Sequence, residues 1–517
     1  MARSAESRNW FSRLTPQAKV MVTVVVMILL AGAASWAYTD RARRTTAAEI
    51  AERMCGSGVE RIDGQCIGVT DGSYLFDPAF AEIQKKIADE NARVRTETSS
   101  YVTVALVDLL TPTETSAKST ENVRHELEGA YTAQRRINES ILPTSSIPQI
   151  QLVLANWGST EKQWRQVAGQ LVEMTGSANP LVAVIGLGVS TAETQHRAED
   201  LSSHGIPMVG SLLTAKELNH TEIPGFIRVS PTTLDYAKAL RRYVDNRNFG
   251  SAVLVYDANS DSGGDLYTRS LKEDLEQQMQ HLIDDRPPLL FFGASIPSEA
   301  GPGRFDIVTP NICSLPTDVV LYAGRRVDLG GFLDSLADRQ CRSTPLTVIT
   351  AADIGEVLSE REQQLSGANL TVVHAGTSDA EGWGRNVEGT PQQYRDFLMA
   401  FKGLGFDGKN LVDGQAIQMH DALRTAAQAV QLATPVDSSP SAAKVRGVLL
   451  NLNGVYQVPG AGGTLSFSPS QPGAGDPLGK SVPVLEFSAP HNDPFGKQVV
   501  TPVYVTCLDQ QPACGDT

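Results

Sequence analysis

Residues Leu181–Thr191 read LVAVIGLGVST: an apolar run, a glycine-containing turn, and then two hydroxyl side chains, Ser190 and Thr191. An apolar run without polar alternation is typical of a strand that is buried on both faces. Serine and threonine favour the position just before a helix, where the side-chain oxygen accepts a hydrogen bond from a free backbone N–H. This stretch therefore predicts a strand that turns directly into a helix, which is the repeating unit of a parallel α/β sheet.

The same alternation continues on both sides of this stretch. In the first half we predict these strands and helices: Val102–Leu110, Glu121–Asn138, Gln149–Ala155, Glu161–Thr175, Leu181–Ile185, Thr191–His204 and Ile206–Val209. Beyond Phe226–Pro231, which we interpret as a strand leading from one lobe to the next, the alternation restarts: Thr233–Asn246, Ser251–Tyr256, Asp265–Met279, Val319–Tyr322, Gly331–Asp338 and Leu346–Thr350. Strands that alternate with long helices indicate parallel sheets covered on both faces.

The composition is that of a globular protein with room for two or three domains. The chain has 517 residues, 41% of them hydrophobic and 20% charged, and its 44 basic and 58 acidic side chains give a net charge of −14. An acidic balance argues against broad nucleic-acid binding, which requires clustered Lys and Arg, so no nucleic-acid partner is expected. A single apolar stretch excludes a polytopic transporter.

That stretch, Val20–Tyr38, has 19 residues without a formal charge. At about 1.5 Å per residue it would reach about 28 Å, close to the thickness of a bilayer core. We predict an uncleaved signal anchor at residues 20–38, a cytoplasmic segment at 1–19, and a single-pass cell-membrane protein with its ectodomain outside the cytoplasm. A cleaved signal peptide, with Ala31-Gly32-Ala33 as its cleavage site, is the alternative.

Six cysteines fall into three local pairs: Cys55 with Cys66, Cys313 with Cys341, and Cys507 with Cys514. An even number in local pairs favours three disulfides, which persist in an oxidising compartment. Six cysteines allow 15 connectivities, so the local pairing is a hypothesis. Because no C-x-x-C occurs and no histidine lies at zinc-site spacing from a cysteine, no metal site is predicted.

Two glycine-containing loops have partial nucleotide-binding patterns. Residues 474–481 (AGDPLGKS) match a loose phosphate loop, but Pro477 interrupts the loop and the segment after it is strand-like. Gly186-Leu187-Gly188 begins as a dinucleotide fingerprint, but Thr191 stands where the third glycine belongs. We predict no cofactor.

Ser190 allows two further interpretations. Gly188–Ala192 can be compared with a nucleophile elbow, which would make Ser190 the nucleophile of a hydrolase with Asp353 and either His374 or His420. Alternatively, Ser190 and Thr191 cap the following helix, whose free N–H groups favour an anion such as a ligand carboxylate. The latter requires no catalytic partners, and we predict that the protein is not an enzyme.

Four segments, in this order, resemble type I periplasmic binding proteins, and most closely the leucine/isoleucine/valine-binding branch of ABC importers. They are LVAVIGLGVST at 181–191, GIPMVGSLLT at 205–214, GFIRVSP at 225–231 and SAVLVYD at 251–257. The resemblance covers about residues 100–490. It implies two lobes, each with a doubly wound, mostly parallel sheet, joined by a three-strand hinge behind the predicted membrane helix. The predicted boundaries are a stalk and disulfide collar at 39–99, which precedes the resemblance, lobe 1 at 100–230 plus 368–480, and lobe 2 at 231–367 plus 481–517.

The resemblance also implies a ligand in the cleft between the lobes. Ser190, Thr191, Ser211 and Thr214 would hold the head group of an amino acid from the first lobe. The expected second-lobe contacts are Tyr256, Asp257, Tyr267, Arg325, Asp328 and Asp353, with Asn156 and Trp157 at the rim of the first lobe. Asp328 or Asp353 would face an ammonium group, and Arg325 beside Arg326 would suit an acidic or larger ligand.

We therefore expect a membrane-tethered solute-binding protein that closes around a small polar metabolite, an amino acid or a related carboxylate. An ABC permease or a signalling partner would recognise the closed form. The alternative is a receptor-like sensor or interaction module that keeps the fold without a ligand, and a serine hydrolase using Ser190 is the more remote one.

Overall fold

Two mixed sheets, each covered by helices, organise the chain into two lobes. The computed structural model describes residues 15–27, 29, 32, 54–98, 100–113, 116–141, 147–159, 163–283, 286–293, 304–434, 440–469, 473–488, 497–499 and 504–506. The strands are β1 (Met54–Gly56), β2 (Val59–Ile62), β3 (Gln65–Thr70), β4 (Tyr101–Asp108), β5 (Gln149–Asn156), β6 (Leu181–Gly186), β7 (Met208–Gly210), β8 (Phe226–Arg228), β9 (Ala252–Asp257), β10 (Leu289–Phe291), β11 (Val319–Ala323), β12 (Leu346–Ala351), β13 (Leu370–Ala375), β14 (Val458–Gly460), β15 (Gly463–Phe467), β16 (Pro477–Leu478), β17 (Ser481–Val482), β18 (Val484–Ser488), β19 (Lys497–Val499) and β20 (Tyr504–Val505).

The helices lie between these strands in the order that the sequence predicts for α/β units. They are α1 (Ala81–Glu97), α2 (Thr120–Ser140), α3 (Trp164–Met174), α4 (Ala192–Ser203), α5 (Thr233–Asp245), α6 (Leu266–Ile283), α7 (Val308–Ser314), α8 (Arg326–Ala337), α9 (Gly355–Ser359), α10 (Glu362–Gly367), α11 (Ala380–Gly384), α12 (Tyr394–Gly403), α13 (Gln415–Ala433) and α14 (Ala442–Val448).

The first lobe is built on an eight-stranded sheet in the order β1-β2-β3-β5-β4-β6-β7-β8. The strands from β5 to β8 are parallel, and β1–β3 extend the sheet antiparallel to β5. Every residue of β6 is buried, as expected for an apolar strand with helices on both faces. The central strand order, with β4 and β6 adjacent in space, places the carboxyl ends of these strands at one edge of the lobe.

Helices α2 and α13 pack together on one face of this sheet. Ser119 and Asn122 form a reciprocal capping box that fixes where α2 begins. Gly129 lies against the backbone of Ala416, at the start of α13, where a Cβ would overlap the Ala416 carbonyl. The absence of a side chain at Gly129 therefore allows the two helices to approach closely.

The second lobe is built on a seven-stranded sheet in the order β10-β9-β11-β12-β13-β18-β19. Strands β9 to β13 are parallel, and β18 and β19 complete the sheet in antiparallel pairs. The described chain passes between the lobes three times: after β8, after β13, and between β16 and β18. This arrangement agrees with the predicted pair of mostly parallel sheets joined by three connections.

Two segments lie elsewhere than expected. Residues 54–97, predicted to form a stalk and collar, belong to the first lobe, because β1–β3 pair onto its sheet and α1 contributes Phe80, Ile83 and Ile87 to its core. Strand β13, within the stretch assigned to lobe 1, lies in the second sheet between β12 and β18. The second crossing therefore follows residue 375 and does not lie at residue 367.

The predicted localisation is contradicted at the N-terminus. Among the described residues, no helix has both the length and the apolar character that a bilayer crossing requires. The prediction of a single-pass membrane protein with an anchor at residues 20–38 is therefore wrong; residues 28, 30, 31 and 33–38 of that stretch lie outside the described residues.

Two of the three predicted disulfides are confirmed. Cys55 and Cys66 join β1 to β3 at the edge of the first sheet. Cys313 and Cys341 join the end of α7 to the turn after α8 in the second lobe. The predicted pair Cys507 and Cys514 lies outside the described residues.

Candidate functional site

A cavity of about 130 Å³ lies between the two lobes. This volume is close to that of cavities of about 150 Å³ that bind benzene. Both lobes and the crossing after β13 contribute to its wall: Ala117, Lys118, Asn122, Val189, Ser190, Leu212, Thr214, Tyr236, Tyr267, Arg325, Arg326, Ala351, Ala352, Asp353, Thr377, Asp413 and Gln415. Five of the twelve predicted ligand contacts are among them: Ser190, Thr214, Tyr267, Arg325 and Asp353.

The turn at residues 186–188 presents Ser190 to this cavity. Gly186, Leu187 and Gly188 all have positive φ, the conformation that glycine adopts without strain and leucine rarely does. The Ser190 hydroxyl accepts hydrogen bonds from the N–H groups of Thr214, at 3.0 Å, and Ala215, at 3.3 Å. Because these bonds use both lone pairs, Ser190 can act on a ligand only as a hydrogen-bond donor.

Arg325 connects the second lobe to this loop. Its guanidinium donates to both carboxylate oxygens of Asp265, at 2.7 and 2.8 Å, and to the backbone carbonyl of Ser190 at 3.1 Å. The N–H of Tyr267 donates to the same carbonyl at 3.2 Å. The lobes are therefore bonded to each other directly at the cavity wall.

Hydrogen-bond acceptors also line the cavity. Asp353 accepts from the N–H and the hydroxyl of Thr377, which follows the second crossing. Oε1 of Gln415 is buried and has no hydrogen-bond partner within the described chain. The side chain of Tyr236 is buried, and burial, together with the charge of Asp353, raises its pKa well above the ordinary tyrosine value. Its hydroxyl is therefore a neutral donor at the cavity wall.

A second polar connection joins the lobes beside the cavity. Arg326 of the second lobe donates to Oδ1 of Asn122 at 2.6 Å, and Nδ2 of Asn122 donates to Asp413 at 2.8 Å. Nδ1 of His125 lies 2.7 Å from the same carboxylate oxygen. Asp413 thus fixes the start of α13 to α2 while Asn122 contacts the other lobe.

Lys118 reaches the cavity from a fully buried ion cluster. Its ammonium donates to Asp108 at 2.6 Å and to Glu126 at 2.7 Å. Burial and the charge of Asp108 raise the pKa of Glu126 well above its ordinary value. One carboxylate therefore balances Lys118, and the cluster holds the loop between β4 and α2 in place.

Four predicted contacts in the first lobe do not line the cavity. Thr191 caps α4 by accepting from the N–H of Thr194, and Ser211 is fully buried. The amide of Asn156 holds the loops around Leu110 and Cys66 by backbone hydrogen bonds. The ring of Trp157 is buried, with the guanidinium of Arg197 lying 3.9 Å from its centre.

Three predicted contacts in the second lobe have internal partners instead. Asp257 accepts from the N–H groups of Asn259 and Gly293, at the turn that follows β9. The hydroxyl of Tyr256 donates to Asp261 at 2.9 Å. Asp328 is buried and forms an ion pair with Arg304. These bonds use the polar atoms in capping and pairing within the lobe.

Sequence reasoning missed much of the cavity wall. The residues not predicted include Lys118, Asn122, Tyr236, Arg326, Thr377, Asp413 and Gln415. Several of these stand at the first turn of a helix, namely α2, α5, α8 and α13, or on the second crossing. The helix starts at Thr120 and Thr233 carry a capping pattern that marks the same edge of the sheets, and it could have directed attention to Asn122 and Tyr236.

The catalytic and nucleotide interpretations have no support in the geometry. His374 lies 2.8 Å from the carbonyl of Ala352 and His420 lies 3.0 Å from Asp421, and neither is a partner of Ser190. Short strands, not a helix, follow the loop at 474–481, and its Lys480 is buried beside Asp421. The turn at 186–188 leads to Ser190 and Thr191, which bond within the protein.

No protein-family model matches the chain, and no curated protein does. Solved structures do. A leucine-binding protein, LivK, from Thermotoga maritima is 14% identical, with a TM-score of 0.55 over 77% of this chain and 98% of that chain. The chain has the type I periplasmic-binding-protein fold.

Other structures with the type I fold carry different ligands. The branched-chain amino acid protein LivJ from Streptococcus pneumoniae, in complex with isoleucine, is 15% identical, with a TM-score of 0.55 over 78% of this chain and 100% of that chain. A solute-binding protein from Rhodopseudomonas palustris BisB5, in complex with 3,4-dihydroxybenzoic acid, is 11% identical, with a TM-score of 0.54 over 78% of this chain and 96% of that chain. The type I fold therefore does not by itself specify a ligand.

Proposed function

We propose that the protein binds a small polar metabolite, an amino acid or a related carboxylate, in the cavity between its lobes. The observation that carries this proposal is the composition of the cavity wall. It contains donors and cations, among them Ser190 and Arg325, as well as the acceptors Asp353 and Gln415. Such a wall complements a molecule with both an anionic and a donor-bearing end.

The mechanism would be closure of the two lobes. A ligand that contacts Ser190 from the first lobe and Tyr236 or Asp353 from the second stabilises the closed form over an open one, by the difference in its affinity for the two forms. No bond is made or broken in this process. An ABC permease that recognises the closed form would be the partner, as the names of the structural neighbours suggest.

The substitution Tyr236→Phe tests whether the ligand binds in the cavity between the lobes. The substitution removes one hydroxyl at the cavity wall and no hydrogen bond within the described residues, so the ligand-free Tm should stay the same. Affinity for the ligand should fall about three- to tenfold, as expected for the loss of one neutral hydrogen bond. The measurement is a thermal-shift titration with the metabolite that mass spectrometry identifies in the denatured, purified protein.

Tyr131→Phe is the matched control. Tyr131 is a buried tyrosine on α2 that does not line the cavity, so its substitution should leave the affinity unchanged. Two results would contradict the proposal: no metabolite released from the purified protein and no stabilisation by any of the twenty amino acids or common carboxylates, or equal effects of the two substitutions.

A second candidate, a sensor or interaction module without a ligand, rests on the direct bonds between the lobes. Arg325 and the Tyr267 N–H both hold the Ser190 carbonyl, and the Ala192 N–H donates to the Gly264 carbonyl at 3.0 Å. These bonds require no ligand. A protein that remains closed and is stabilised by no metabolite would favour this candidate.

A further inference from the structure

A cationic cluster lies on the first lobe, away from the cleft, where α2 packs on α13. His420 is buried on α13, and its Nδ1 lies 3.0 Å from the carboxylate of Asp421. Its Nε2 lies 3.3 Å from Nη1 of Arg136 on α2. Burial lowers the pKa of His420 to about 4, so at neutral pH the ring is uncharged. It then donates from Nδ1 to Asp421 and accepts from Arg136 at Nε2.

Asp421 does not neutralise this cluster, because its charge is already matched. Its two oxygens accept from the N–H groups of Ala461 and Gly462, at 2.6 and 2.9 Å. The buried ammonium of Lys480 lies 3.3 Å away. Because Asp421 also balances Lys480, it offsets the positive charge on the neighbouring arginines only in part.

Arg424 adds a second cation on the same helix face, one turn after His420. Within the described residues, neither Arg424 nor Arg136 forms an ion pair with a carboxylate; Asp421 attracts both, and Asp396 attracts Arg136, only at longer range. Burial lowers the pKa of both guanidinium groups, and the charge of Arg136 lowers that of Arg424 further. Two half-buried like charges without an anion are costly, so they indicate a missing negative partner.

A cavity of about 250 Å³ begins at Arg424 and continues along the groove between the two helices. Beyond the guanidinium its wall combines apolar side chains, among them Ile137 on α2, Ile150 on β5 and Val430 on α13, with the polar side chains of Ser140 and Gln431. Gln428 adds one polar group beside Arg424. A partner for this groove would therefore have an anionic head and an apolar body.

We propose that Arg424, with the charge of Arg136 close by, forms a binding site for a small organic carboxylate, whose head pairs with the Arg424 guanidinium and whose aliphatic or aromatic body occupies the groove. Arginine suits this role because its planar fork pairs with both oxygens of a carboxylate. The site is on the outer face of the first lobe and shares no residue with the wall of the cleft. The test of this site is therefore independent of the test of the proposed function.

The test uses hexanoate as the probe, with hexan-1-ol as its neutral match and inorganic phosphate as an anion without an apolar body. In thermal-shift and calorimetric titrations of the full chain, hexanoate should bind and stabilise the protein, and the other two should not. Arg424→Gln should weaken hexanoate binding by about ten- to hundredfold, the usual effect of losing a charge-assisted hydrogen bond. Arg424→Lys keeps the charge but loses the planar guanidinium fork. Its affinity for hexanoate should lie between that of the wild type and that of Arg424→Gln.

The stability of the ligand-free protein distinguishes a binding role of Arg424 from a structural one. Arg424→Gln removes an unbalanced, half-buried charge, so its ligand-free Tm should equal or exceed that of the wild type. Tyr236→Phe, in the cleft, should leave hexanoate binding unchanged. A lower ligand-free Tm for Arg424→Gln, equal binding of phosphate or hexan-1-ol, or loss of hexanoate binding in Tyr236→Phe would each overturn the proposal.

Discussion

Asp274 on α6 is a carboxyl whose environment works against ionisation. Its side chain is 6% exposed, and Oδ2 is buried without a hydrogen-bond partner in the described chain. Burial raises the pKa of Asp274 from 3.8 to about 6. A carboxyl with a higher pKa in the folded state stabilises the fold while it is neutral. That contribution is complete below pH 3.8 and is lost as the pH rises through 6.

Asp274→Asn should therefore gain stability relative to the wild type, by about 2–3 kcal/mol, as the pH is raised from 4 to 7. The free energy of unfolding, measured by urea titration at each pH, checks this prediction.

His420→Gln should change in stability with pH in the opposite direction. Burial lowers the pKa of His420 to about 4, so its contribution is present above pH 6.5 and is lost on acidification. This variant should lose stability relative to the wild type over the same rise in pH, and parallel profiles for all three proteins would contradict both assignments.

At single residues, the sequence predicted which sheet edge carries the site better than which side chains face it. The resemblance implied Ser190, Arg325 and Asp353 as ligand contacts, and all three line the cavity. It also selected Asp257, whose carboxylate caps a turn and receives the N–H of Gly293. Both outcomes give the same sequence pattern, because an acid after a strand can cap a turn or face a ligand.

Among the elements, the contact between α2 and α13 positions the most cavity residues that the sequence did not reveal. Asn122 and Gln415, near the starts of these helices, line the cavity, and a Cβ at Gly129 would overlap the carbonyl of Ala416. The contact joins segments that are far apart in the chain. No local sequence pattern indicates which distant helices pack together, whereas periodicity and caps do indicate where individual helices lie.

Gly129→Ala should force the two helices apart. The added methyl group overlaps the carbonyl of Ala416, and overpacking of this kind costs about 1–3 kcal/mol. Gly169→Ala on α3 is the matched control, because a Cβ there meets nothing within 4 Å. The control should be neutral or stabilising by up to about 1 kcal/mol, owing to the better helix propensity of alanine. Urea unfolding measures both, and equal effects would show that the helices are not closely packed at Gly129.

The short elements were the ones that the sequence misplaced. Strands β1–β3 have three to six residues and are separated by tight turns, so their pattern does not differ from that of a loop. They become part of the first lobe only by pairing with β5, which is far away in the sequence. Strand β13 was missed for a related reason, since its place in the second sheet depends on its pairing with β12 and β18.

At the scale of the whole molecule, Arg325 connects the lobes by donating a hydrogen bond to the carbonyl of Ser190, and an ion pair within the second lobe holds its guanidinium in place. Its partner Asp265 is 2% exposed, so the pair is buried. An ion pair that joins the two lobes, Arg269 with Glu217, is considerably more exposed. Buried and exposed ion pairs differ in what their loss costs, because only the buried carboxylate is left without solvent.

Arg325→Gln should destabilise the protein by about 3 kcal/mol and shift it towards an open form. Small-angle X-ray scattering without a ligand should show a larger radius of gyration than for the wild type. Arg269→Gln, the control, should cost less than about 1 kcal/mol and leave the radius unchanged. A wild-type radius for Arg325→Gln would mean that the other contacts suffice to keep the lobes closed.

The three crossings have a consequence for how the chain can fold during synthesis. The first sheet is covered by α13, from residue 415 onwards, and the second is completed by β18, which ends at residue 488. Neither lobe can therefore be finished while the ribosome is still adding the middle of the chain. At about 5–20 residues per second, the early strands wait for tens of seconds beside a partly exposed core. Aggregation and the need for chaperones should be greatest in that interval.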